Sequence, residues 1–456
     1  MSTFLADELT GLQTQIAGDV ITPTDVRWDH ARQAWNLDVD QRPVAIVYPE
    51  SADDVVAAVR FATANAVCIA FNGGGHNAGT ISWDRPTLLI KTEHMRAITI
   101  DPDRRRARVE AGVLAKPLAQ AAGAHGLTFL EGTSPNVGVV GYALGGGLSW
   151  MVRKFGLCCN TILSVEVVTA DGRLVRADHA TEPDLFWALR GGSGNFGAVT
   201  AIELELFPIA EVYGGALFWP IERAEEVLLA WRSWVDTVPD ECFSLGRLLQ
   251  FPDAAEIPQE MRGRSFVLFE TAIIGDAEFG ASLIAPMRAL GPEIDTIEMM
   301  PTTELTRINM DPNAPVAYAG DGFLMTDFTA KAITTTIDLF VGSPLVHIEF
   351  RHLGGAAARR SESHGALSSI DDPFITFTFG LVSAANSHDD TTHQVNRLLD
   401  GLREWNSGHR YLNFAETPVD PRSIFTDGNY DRLRQIKAQY DPHGIFQANH
   451  RLSQDQ

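Results

Sequence analysis

Three glycine-rich segments hold the residues best suited to chemistry. The first, Asn72-Gly73-Gly74-Gly75-His76-Asn77, follows directly on the short apolar run CIAF. Three consecutive glycines have no side chains to pack and cost backbone entropy on folding. A chain accepts this cost where backbone N–H groups must come close to a ligand such as a pyrophosphate. The segment therefore predicts an anion-binding loop that ends in a histidine, with a plain tight turn as the alternative.

The other two glycine segments run from Gly138 to Gly147 and from Gly191 to Gly197. The latter contains a literal G-x-G-x-x-G, but in a dinucleotide-binding turn this spacing must follow a strand and open a helix. Here the helical run DLFWAL precedes the glycines and the strand pattern AVTAIELEL follows them. The flanks therefore argue against an NAD-binding Rossmann turn. Any one segment alone could be a tight turn, whereas the three segments together, in this order, are a more specific indication of a binding site.

The elements that must position these loops alternate between strand and helix. Strand patterns cover 44–48, 68–71 and 198–206, two more lie between 88 and 109, and 163–168 with 174–175 indicate a hairpin around Ala-Asp-Gly. Ser51, with Asp54 three residues later, predicts the start of a helix. Further helices are expected at 115–124, at 184–189 with a cap near Thr181, and at 430–440, where Asp441-Pro442 ends the pattern.

The middle of the chain, from about 210 to 405, has a different pattern. Strand candidates at 265–271, 346–350 and 374–379 alternate with amphipathic stretches at 225–235 and 394–405. This order predicts one sheet with helices on one face. The last helix is expected to return to the first unit.

Composition excludes several classes of protein. The 456 residues are 45% hydrophobic and carry a net charge of -22, which argues against a nucleic-acid or anionic-membrane partner. We see neither a signal peptide nor a long apolar run, so no membrane attachment is expected. The cysteines lack zinc or disulfide-scaffold spacing, and the adjacent Cys158 and Cys159 are expected in the core. No metal site is predicted, and a cytoplasmic location is expected.

The combined motifs resemble the vanillyl-alcohol-oxidase superfamily, and within it the berberine-bridge-enzyme-like FAD-linked oxidases. The resembling stretches cover most of 40–206 and 408–450; they are FNGGGHNAG, EGTSPNVGVVGYALGGGLSWMVRKFGL, VVTADGRLVRA, DLFWALRGGSGNFGAVT, YLNF and IKAQYDPHGIF. The resemblance implies an α+β fold of two domains: an FAD-binding domain at 1–208 and 408–456, and an inserted antiparallel-sheet substrate domain, covered by helices, at 209–407.

The resemblance also implies the cofactor and its attachment. In such proteins the histidine of the GGGH loop is bonded through a ring nitrogen to the 8α-methyl carbon of the flavin, and that position is His76. The residues expected to bind FAD are His76, Asn72, Gly73, Gly74, Gly75, Asn77, Ser134, Val137, Gly138, Gly141, Gly145, Gly146, Asn195, Gly197 and Asn413.

Two positions depart from the pattern of the resembling proteins. Many carry a second covalent bond from a cysteine in a G-x-C-P-x-V-G motif, whereas this chain has Ser134 at that position, without a thiolate nucleophile. We therefore expect attachment through His76 only. Several sugar- and polyketide-oxidising relatives place a tyrosine directly after the GGG, but Leu148 stands there, which argues against a mechanism with two tyrosines.

Two residues are candidates for the base that takes the substrate proton while a hydride leaves. By resemblance, Tyr411 lies near the flavin, but a phenol with an ordinary pKa near 10 would need nearby positive charge or a hydrogen-bond donor to act at neutral pH. Glu349 lies in the run VHIEF, where period-two alternation places His347, Glu349 and Arg351 on one face of a strand. The alternative for that face is solvated or ion-paired side chains.

Val137 bears on the identity of the electron acceptor. By resemblance, valine at this position is typical of proteins whose flavin reacts with dioxygen, whereas leucine is typical of dehydrogenases. The expected function is therefore an FAD-linked oxidase that takes a hydride from a small organic substrate (a sugar, an alcohol or an aromatic secondary metabolite) and gives its electrons to dioxygen. An FAD-dependent dehydrogenase with another acceptor and a non-catalytic flavin-binding module remain alternatives. The substrate cannot be derived from these motifs, because it contacts the inserted domain.

Overall fold

The computed structural model describes residues 3–254 and 257–452. The helices in this part of the chain are α1 (Thr3–Gln13), α2 (Trp28–Ala31), α3 (Ala52–Ala64), α4 (Ala115–Gly123), α5 (Val139–Leu144), α6 (Val152–Phe155), α7 (Pro183–Gly192), α8 (Ala224–Val235), α9 (Ala277–Arg288), α10 (Ala330–Phe340), α11 (His388–Gly401) and α12 (Asp427–Tyr440). The strands are β1 (Asp19–Ile21), β2 (Ala45–Tyr48), β3 (Cys68–Asn72), β4 (Thr87–Lys91), β5 (Ile98–Asp101), β6 (Arg106–Glu110), β7 (Ile162–Val168), β8 (Leu174–Ala177), β9 (Ala198–Glu205), β10 (Glu211–Pro220), β11 (Cys242–Gln250), β12 (Ser265–Ile273), β13 (Ile294–Asp295), β14 (Glu298–Pro301), β15 (Tyr318–Met325), β16 (Leu345–His352), β17 (Phe374–Leu381) and β18 (Phe446–Gln447).

The first sheet has the strand order β1-β2-β4-β3-β18. Strands β2, β4, β3 and β18 run parallel to their neighbours, and only β1 is antiparallel. Helix α3 packs on this sheet through Val55, Ala58 and Val59, and it begins as expected, because the Ser51 side chain accepts a hydrogen bond from the Asp54 backbone N–H. The strand β3 leads directly into the first glycine loop.

The second sheet, in the order β5-β6-β9-β7-β8, is antiparallel throughout. It includes the predicted hairpin, formed by β7 and β8. The strand β9 is buried along most of its length, because it lies in the middle of the sheet and its side chains enter two cores. Cys158 and Cys159 are buried, as predicted.

The third sheet is formed by the middle of the chain, in the order β13-β10-β12-β11-β16-β17-β15, with β14 also paired to β10. All its pairs are antiparallel. Buried side chains of α8 to α11 join one face of this sheet in a shared core, which includes Trp231, Phe328 and Phe350. The expected sheet with helices on one face is confirmed. Its other face turns toward the glycine loops.

The predicted start of one helix is correct to within one residue. Helix α7 begins at Pro183 with Glu182, the residue after Thr181, as its N-cap, in a left-handed conformation (φ 51°). The Thr181 backbone N–H donates to Asp178, in the turn that precedes the helix. The predicted domain boundary at 208/209 falls in the connection between β9 and β10 and remains a proposal.

Candidate functional site

A cavity of about 310 Å³ opens between the first two glycine loops, the inner face of the third sheet and the segment 411–416. The sequence-predicted residues that line it are Asn72, Gly73, Gly74, Gly75, His76, Asn77, Ser134, Val137, Gly138, Gly141, Glu349, Tyr411 and Asn413. These residues come from four separate stretches of the chain. The fold therefore brings most of the predicted site together in one place.

The first glycine loop is packed too closely for side chains. A Cβ on Gly138 would lie 2.7 Å from the carbonyl oxygen of Gly73, so the first two glycine loops touch backbone to backbone. Gly75 has φ +80°, and a Cβ there would lie 2.8 Å from the Asn72 amide nitrogen and 3.0 Å from the Trp35 nitrogen. The Asn72 Oδ1 accepts a hydrogen bond from the Gly74 N–H at 3.0 Å, whereas its Nδ2 is buried without a partner.

His76 has a fixed ring and a free nitrogen. Its ring stacks on Trp35, with centroids 4.4 Å apart and planes inclined by 15°. Burial lowers the pKa of His76 to about 4, although a hydrogen bond with the Asn136 backbone acts in the other direction. Its Nε2 is buried without a hydrogen-bond partner. The imidazole is therefore neutral at physiological pH, with a lone pair available in the wall of the cavity.

The segment that contains Ser134 and Val137 is held against α4. The Ala115 N–H donates to the Val137 carbonyl at 2.9 Å, and the Lys116 N–H donates to the Pro135 carbonyl at 3.1 Å. Ser134 is nearly buried and Val137 half-buried, and both line the cavity. The loop is therefore fixed by backbone contacts that do not depend on its side chains.

The C-terminal segment completes the cavity. Asn413 donates through Nδ2 to the Tyr142 carbonyl at 3.0 Å, which joins this segment to α5. Asn77 donates to the Ala415 carbonyl at 3.1 Å and accepts a hydrogen bond from Asn449. The side-chain amides of Asn77 and Asn413 thus join the first two glycine loops to the segment 411–416, which lies more than 270 positions later in the chain.

Four predicted binding residues do not line this cavity. A Cβ on Gly145 or Gly146 would meet Asn413 or Tyr411, so these glycines make room for the 411–416 segment. Asn195 is buried and donates to the carbonyls of Gly192 and His450. A Cβ on Gly197 would lie 2.5 Å from Val167. The observed contacts of these four residues are packing and hydrogen bonds within the protein.

The inner face of β16 carries the predicted polar group. His347, Glu349 and Arg351 share one face of the strand, as the alternation in sequence predicts, and all three line the cavity. The Arg351 Nε donates to Glu349 Oε1 at 2.7 Å, and its guanidinium lies 4.6 Å from the centre of the Phe414 ring. Glu349 is 1% exposed, and its Oε2 has no partner. Burial also lowers the pKa of His347 well below its usual value, so its ring is neutral.

A second ion pair lies beside Glu349 on the same face of the sheet. Arg247 stands opposite Glu349 in the β11–β16 register and donates to Glu270 at 2.6 Å, with both side chains almost fully buried. Arg247 also donates to the Asn309 carbonyl at 3.0 Å. Burial raises the pKa of Glu270 to about 7, against the opposing effect of Arg247. The site therefore rests on a buried layer of alternating charges.

Burial favours the protonated forms of Tyr411 and Glu416. Burial raises the pKa of Tyr411 far above the usual value of a phenol, and the positive charge of Arg351 only partly offsets this effect. Burial raises the pKa of Glu416 to about 8. The Tyr318 hydroxyl lies 3.3 Å from Glu416 Oε1 and donates to the His76 carbonyl at 3.2 Å.

Sequence reasoning missed several residues of this wall, among them Trp35, Asp311, Tyr318 and Glu416. Asp311 is buried, its pKa is raised by burial, and its Oδ1 accepts a hydrogen bond from Asn309 at 2.5 Å. It follows a short 3-10 helix in the turn segment DPNAP, whose residues predict only a loop. The only feature of the sequence that could have indicated Glu416 as a site residue is its position five residues after Tyr411, near the YLNF segment.

The cavity fits FAD in its chemistry. It combines a glycine cradle in which side chains would collide, a neutral histidine with an unpartnered Nε2, and the unpartnered Nδ2 of Asn72. Within 3–254 and 257–452 no group of three or more His, Cys, Asp or Glu side chains could hold a metal ion. No helix in the same ranges is long and apolar enough to cross a membrane.

Comparisons with known proteins agree with this fit. A model described as FAD binding domain matches residues 43–178, and a model described as berberine and berberine like matches 410–452. The chain is 27% identical to (R)-6-hydroxynicotine oxidase of Paenarthrobacter nicotinovorans, over 99% of each chain. It is 26% identical to glucooligosaccharide oxidase of Sarocladium strictum, over 92% of this chain and 89% of that protein.

Solved structures show the same fold. The crystal structure of 6-hydroxy-D-nicotine oxidase from Arthrobacter nicotinovorans superposes with a TM-score of 0.82 at 24% identity, covering 96% of this chain and 98% of that one. Berberine bridge enzyme superposes with a TM-score of 0.85 at 18% identity, covering 99% and 100%.

Proposed function

We propose that the chain belongs to the FAD-linked oxidoreductases of the vanillyl-alcohol-oxidase type and that it is an oxidase, a proposal supported by its match to an FAD binding domain and by its berberine-like C-terminal segment. Its substrate is a small organic molecule, its FAD is held covalently by His76 alone, and its electrons pass to dioxygen to give hydrogen peroxide. FAD, when bound, accepts a hydride from the substrate and passes the electron pair on to an acceptor. The chain's own residues bind, orient and deprotonate the substrate.

The observation that supports the attachment is the state of His76. A neutral ring, fixed by stacking on Trp35 and with an unpartnered Nε2 in the cavity wall, offers the lone pair that a covalent bond to carbon requires. Asn72 and the three glycines beside it supply backbone and amide N–H groups for the pyrophosphate. The hydroxyl of Ser134 is a far weaker nucleophile than a thiolate, which supports a single bond.

The proposed base is Glu349. Its Oε2 is buried in the cavity without a partner and can therefore accept a proton from a bound substrate. Arg351 holds the other oxygen at 2.7 Å and thereby fixes the orientation of the carboxylate. Tyr411 is assigned the role of a hydrogen-bond donor, because burial raises its pKa and keeps the phenol protonated.

Dioxygen is the proposed acceptor, supported by Val137 and by the relatives that are named oxidases. Val137 lines the cavity from a loop whose backbone is fixed by Ala115, so a longer side chain would project into the cavity instead of displacing the loop. Val137→Leu should slow reoxidation of the reduced protein by dioxygen and leave its reduction by substrate nearly unchanged. Equal reoxidation rates in the two proteins would remove Val137 from the argument.

The experiment that tests the proposal starts with acid precipitation of the purified protein. The pellet should stay yellow, a peptide that contains His76 should carry the mass of the flavin, and no such mass should appear on Ser134. Hydrogen peroxide is then measured across a panel of carbohydrates, alcohols and amines. A colourless pellet contradicts the covalent bond, whereas flavin reduction without peroxide production indicates a dehydrogenase.

A further inference from the structure

The ring of Trp35 lies flat against His76, the residue proposed to carry the flavin. The two ring centroids are 4.4 Å apart, and the ring planes are inclined by only 15°. The backbone nitrogen of Trp35 lies 3.0 Å from the position that a Cβ on Gly75 would take. The segment that carries Trp35 therefore packs against both the side chain and the backbone of the first glycine loop.

This segment, residues 35–37, forms a strap that is bound to the third sheet. Asn36 is buried and donates through Nδ2 to the Tyr318 carbonyl at 2.9 Å, and its Oδ1 accepts a hydrogen bond from the Tyr318 N–H at 3.2 Å. The Leu37 N–H donates to the Val316 carbonyl at 3.0 Å. These three bonds fix the strap to the beginning of β15, although the strap and β15 are about 280 positions apart in the chain.

The first sheet holds the residues that precede the strap. Lys91, at the end of β4, donates to the carbonyls of Ala31 and Gln33 at 3.0 and 3.1 Å. The third sheet also reaches His76 directly, because the Tyr318 hydroxyl donates to the His76 carbonyl at 3.2 Å. The position of His76 therefore depends on contacts from two sheets.

The direction of the His76 ring depends on few contacts. A histidine side chain can turn about two bonds, so neighbouring groups must fix the direction of its ring nitrogens. Nε2 is buried without a hydrogen-bond partner, so no hydrogen bond holds it. The stack on Trp35 fixes the plane of the ring, and the hydrogen bond with the Asn136 backbone limits rotation within that plane. Loss of the stack would leave the ring free to tilt.

We propose that Trp35 is the positioning residue for covalent attachment of the flavin: it holds Nε2 of His76 toward the cavity, and Asn36 holds Trp35 in place by binding β15. This inference rests on the proposed attachment through His76 and adds the residues that prepare the histidine for it. The strap also makes attachment depend on the docking of the third sheet against the first glycine loop.

The bond changes in attachment balance as follows. His76 uses the lone pair of Nε2 to form a bond to the 8α carbon of FAD. One C–H bond of that carbon breaks, its proton leaves and its electron pair stays on the flavin, while the imidazole releases the proton of Nδ1. Dioxygen then takes up the two electrons and two protons and becomes hydrogen peroxide.

The alternative role for Trp35 is apolar packing alone, and two substitutions separate the two roles. Trp35→Leu keeps an apolar side chain but removes the flat ring, whereas Trp35→Phe keeps a ring that can stack. If packing alone matters, leucine and phenylalanine should serve about equally well. If positioning matters, only phenylalanine should preserve attachment.

The test follows attachment itself in the full-length protein, purified without flavin from riboflavin-starved cells. The protein is incubated in air with saturating FAD, so that the rate does not depend on affinity, and acid-precipitated samples give the covalently labelled fraction over time. Trp35→Leu should slow attachment by about tenfold, the upper value for one stacked aromatic pair, to roughly 100-fold, the cost of misplacing a reacting group by about 1 Å. Trp35→Phe should attach flavin at close to the wild-type rate.

Two further variants complete the test. Asn36→Ala removes the side-chain bonds to Tyr318 while keeping Trp35, so it should also slow attachment, but less than Trp35→Leu. The matched control is Trp28→Leu, the same substitution in α2, where the ring packs on a small core outside the cavity lining. It should attach flavin at the wild-type rate. Urea midpoints of the flavin-free proteins show which variants fold.

Equal attachment rates in the wild type and Trp35→Leu would overturn the inference, as would a Trp35→Phe protein that is as slow as Trp35→Leu. If Trp35→Leu does not fold, Asn36→Ala decides, because attachment at the wild-type rate in that variant would equally refute the role of the strap. Failure of the proposed function gives a different result: a wild-type protein that binds FAD but leaves a colourless acid pellet.

Discussion

Gly138→Ala gives the sharpest test of how the protein binds its cofactor. The added Cβ would lie 2.7 Å from the Gly73 carbonyl oxygen and 3.0 Å from its carbon, both of them backbone atoms that no side-chain rotation can move. The first two glycine loops must therefore separate by several tenths of an ångström. Such overpacking costs about 1–3 kcal/mol, which corresponds to a roughly 5- to 150-fold weaker FAD affinity if the bound state needs the loops together.

The assay measures the dissociation constant of FAD by fluorescence titration in a His76→Ala background, where no covalent bond hides the equilibrium. Two further alanine substitutions act as controls. Gly428, in the first turn of α12 and outside the cavity lining, has no atom within 4 Å of the position that a Cβ would take, so Gly428→Ala should not change the affinity. Gly141 has equally open surroundings but lines the cavity, so Gly141→Ala should weaken FAD binding without lowering the stability of the cofactor-free protein. Unchanged affinity in Gly138→Ala would refute the proposal that contact between the first two glycine loops shapes the binding site.

Three other predictions concern attachment, chemistry and stability. Ser134→Cys should add a second flavin bond, detectable as a flavin-bearing peptide that contains residue 134; its absence after full loading would show that the backbone path differs from the doubly linked relatives. Glu349→Gln should slow flavin reduction by roughly 10²–10⁴ in stopped-flow experiments, the usual cost of losing a general base, whereas Tyr411→Phe should slow it less; the reverse order would make Tyr411 the base. Burial raises the pKa of Glu416 from 4.5 to about 8. Between these two pH values the folded chain holds one proton more than the unfolded chain, so raising the pH across this range lowers the free energy of unfolding. Between about pH 5 and pH 8, urea midpoints should therefore fall less for Glu416→Gln than for the wild type, and parallel pH curves would exclude Glu416 as the cause.

Local patterns in the sequence were enough to predict much of the site. The alternation in VHIEF predicted that His347, Glu349 and Arg351 share one face of β16, and the structure shows that this face lines the cavity. The glycine loop after β3 and the Ser51 cap are also local features, fixed by the residues beside them. Such features depend on backbone geometry over a few residues, which a sequence states directly.

Features that depend on tertiary contacts were beyond prediction from sequence. The Arg247–Glu270 pair requires the register of β11 on β12, and the placement of Asp311 depends on a loop that crosses the face of the sheet. Gly145 and Gly197 look like ligand-binding glycines, yet each one makes room for a side chain that is distant in sequence, Asn413 and Val167. A glycine shows that space is needed, but not what fills it.

The pairing of β18 with β3 has a consequence for how the protein is made. Phe446 and Gln447 pair with Ile69 and Ala70, in the strand that leads into the first glycine loop, and Asn413, also near the end of the chain, donates to the Tyr142 carbonyl in the second glycine loop. During translation, β10 to β17 emerge from the ribosome before either of these contacts can form. The inserted sheet can therefore assemble on the nascent chain, whereas the cofactor pocket must wait for residues made more than 370 positions after the glycine loop. We therefore expect FAD to bind late in biogenesis, and a ribosome stalled before residue 410 to carry the third sheet beside an incomplete cavity.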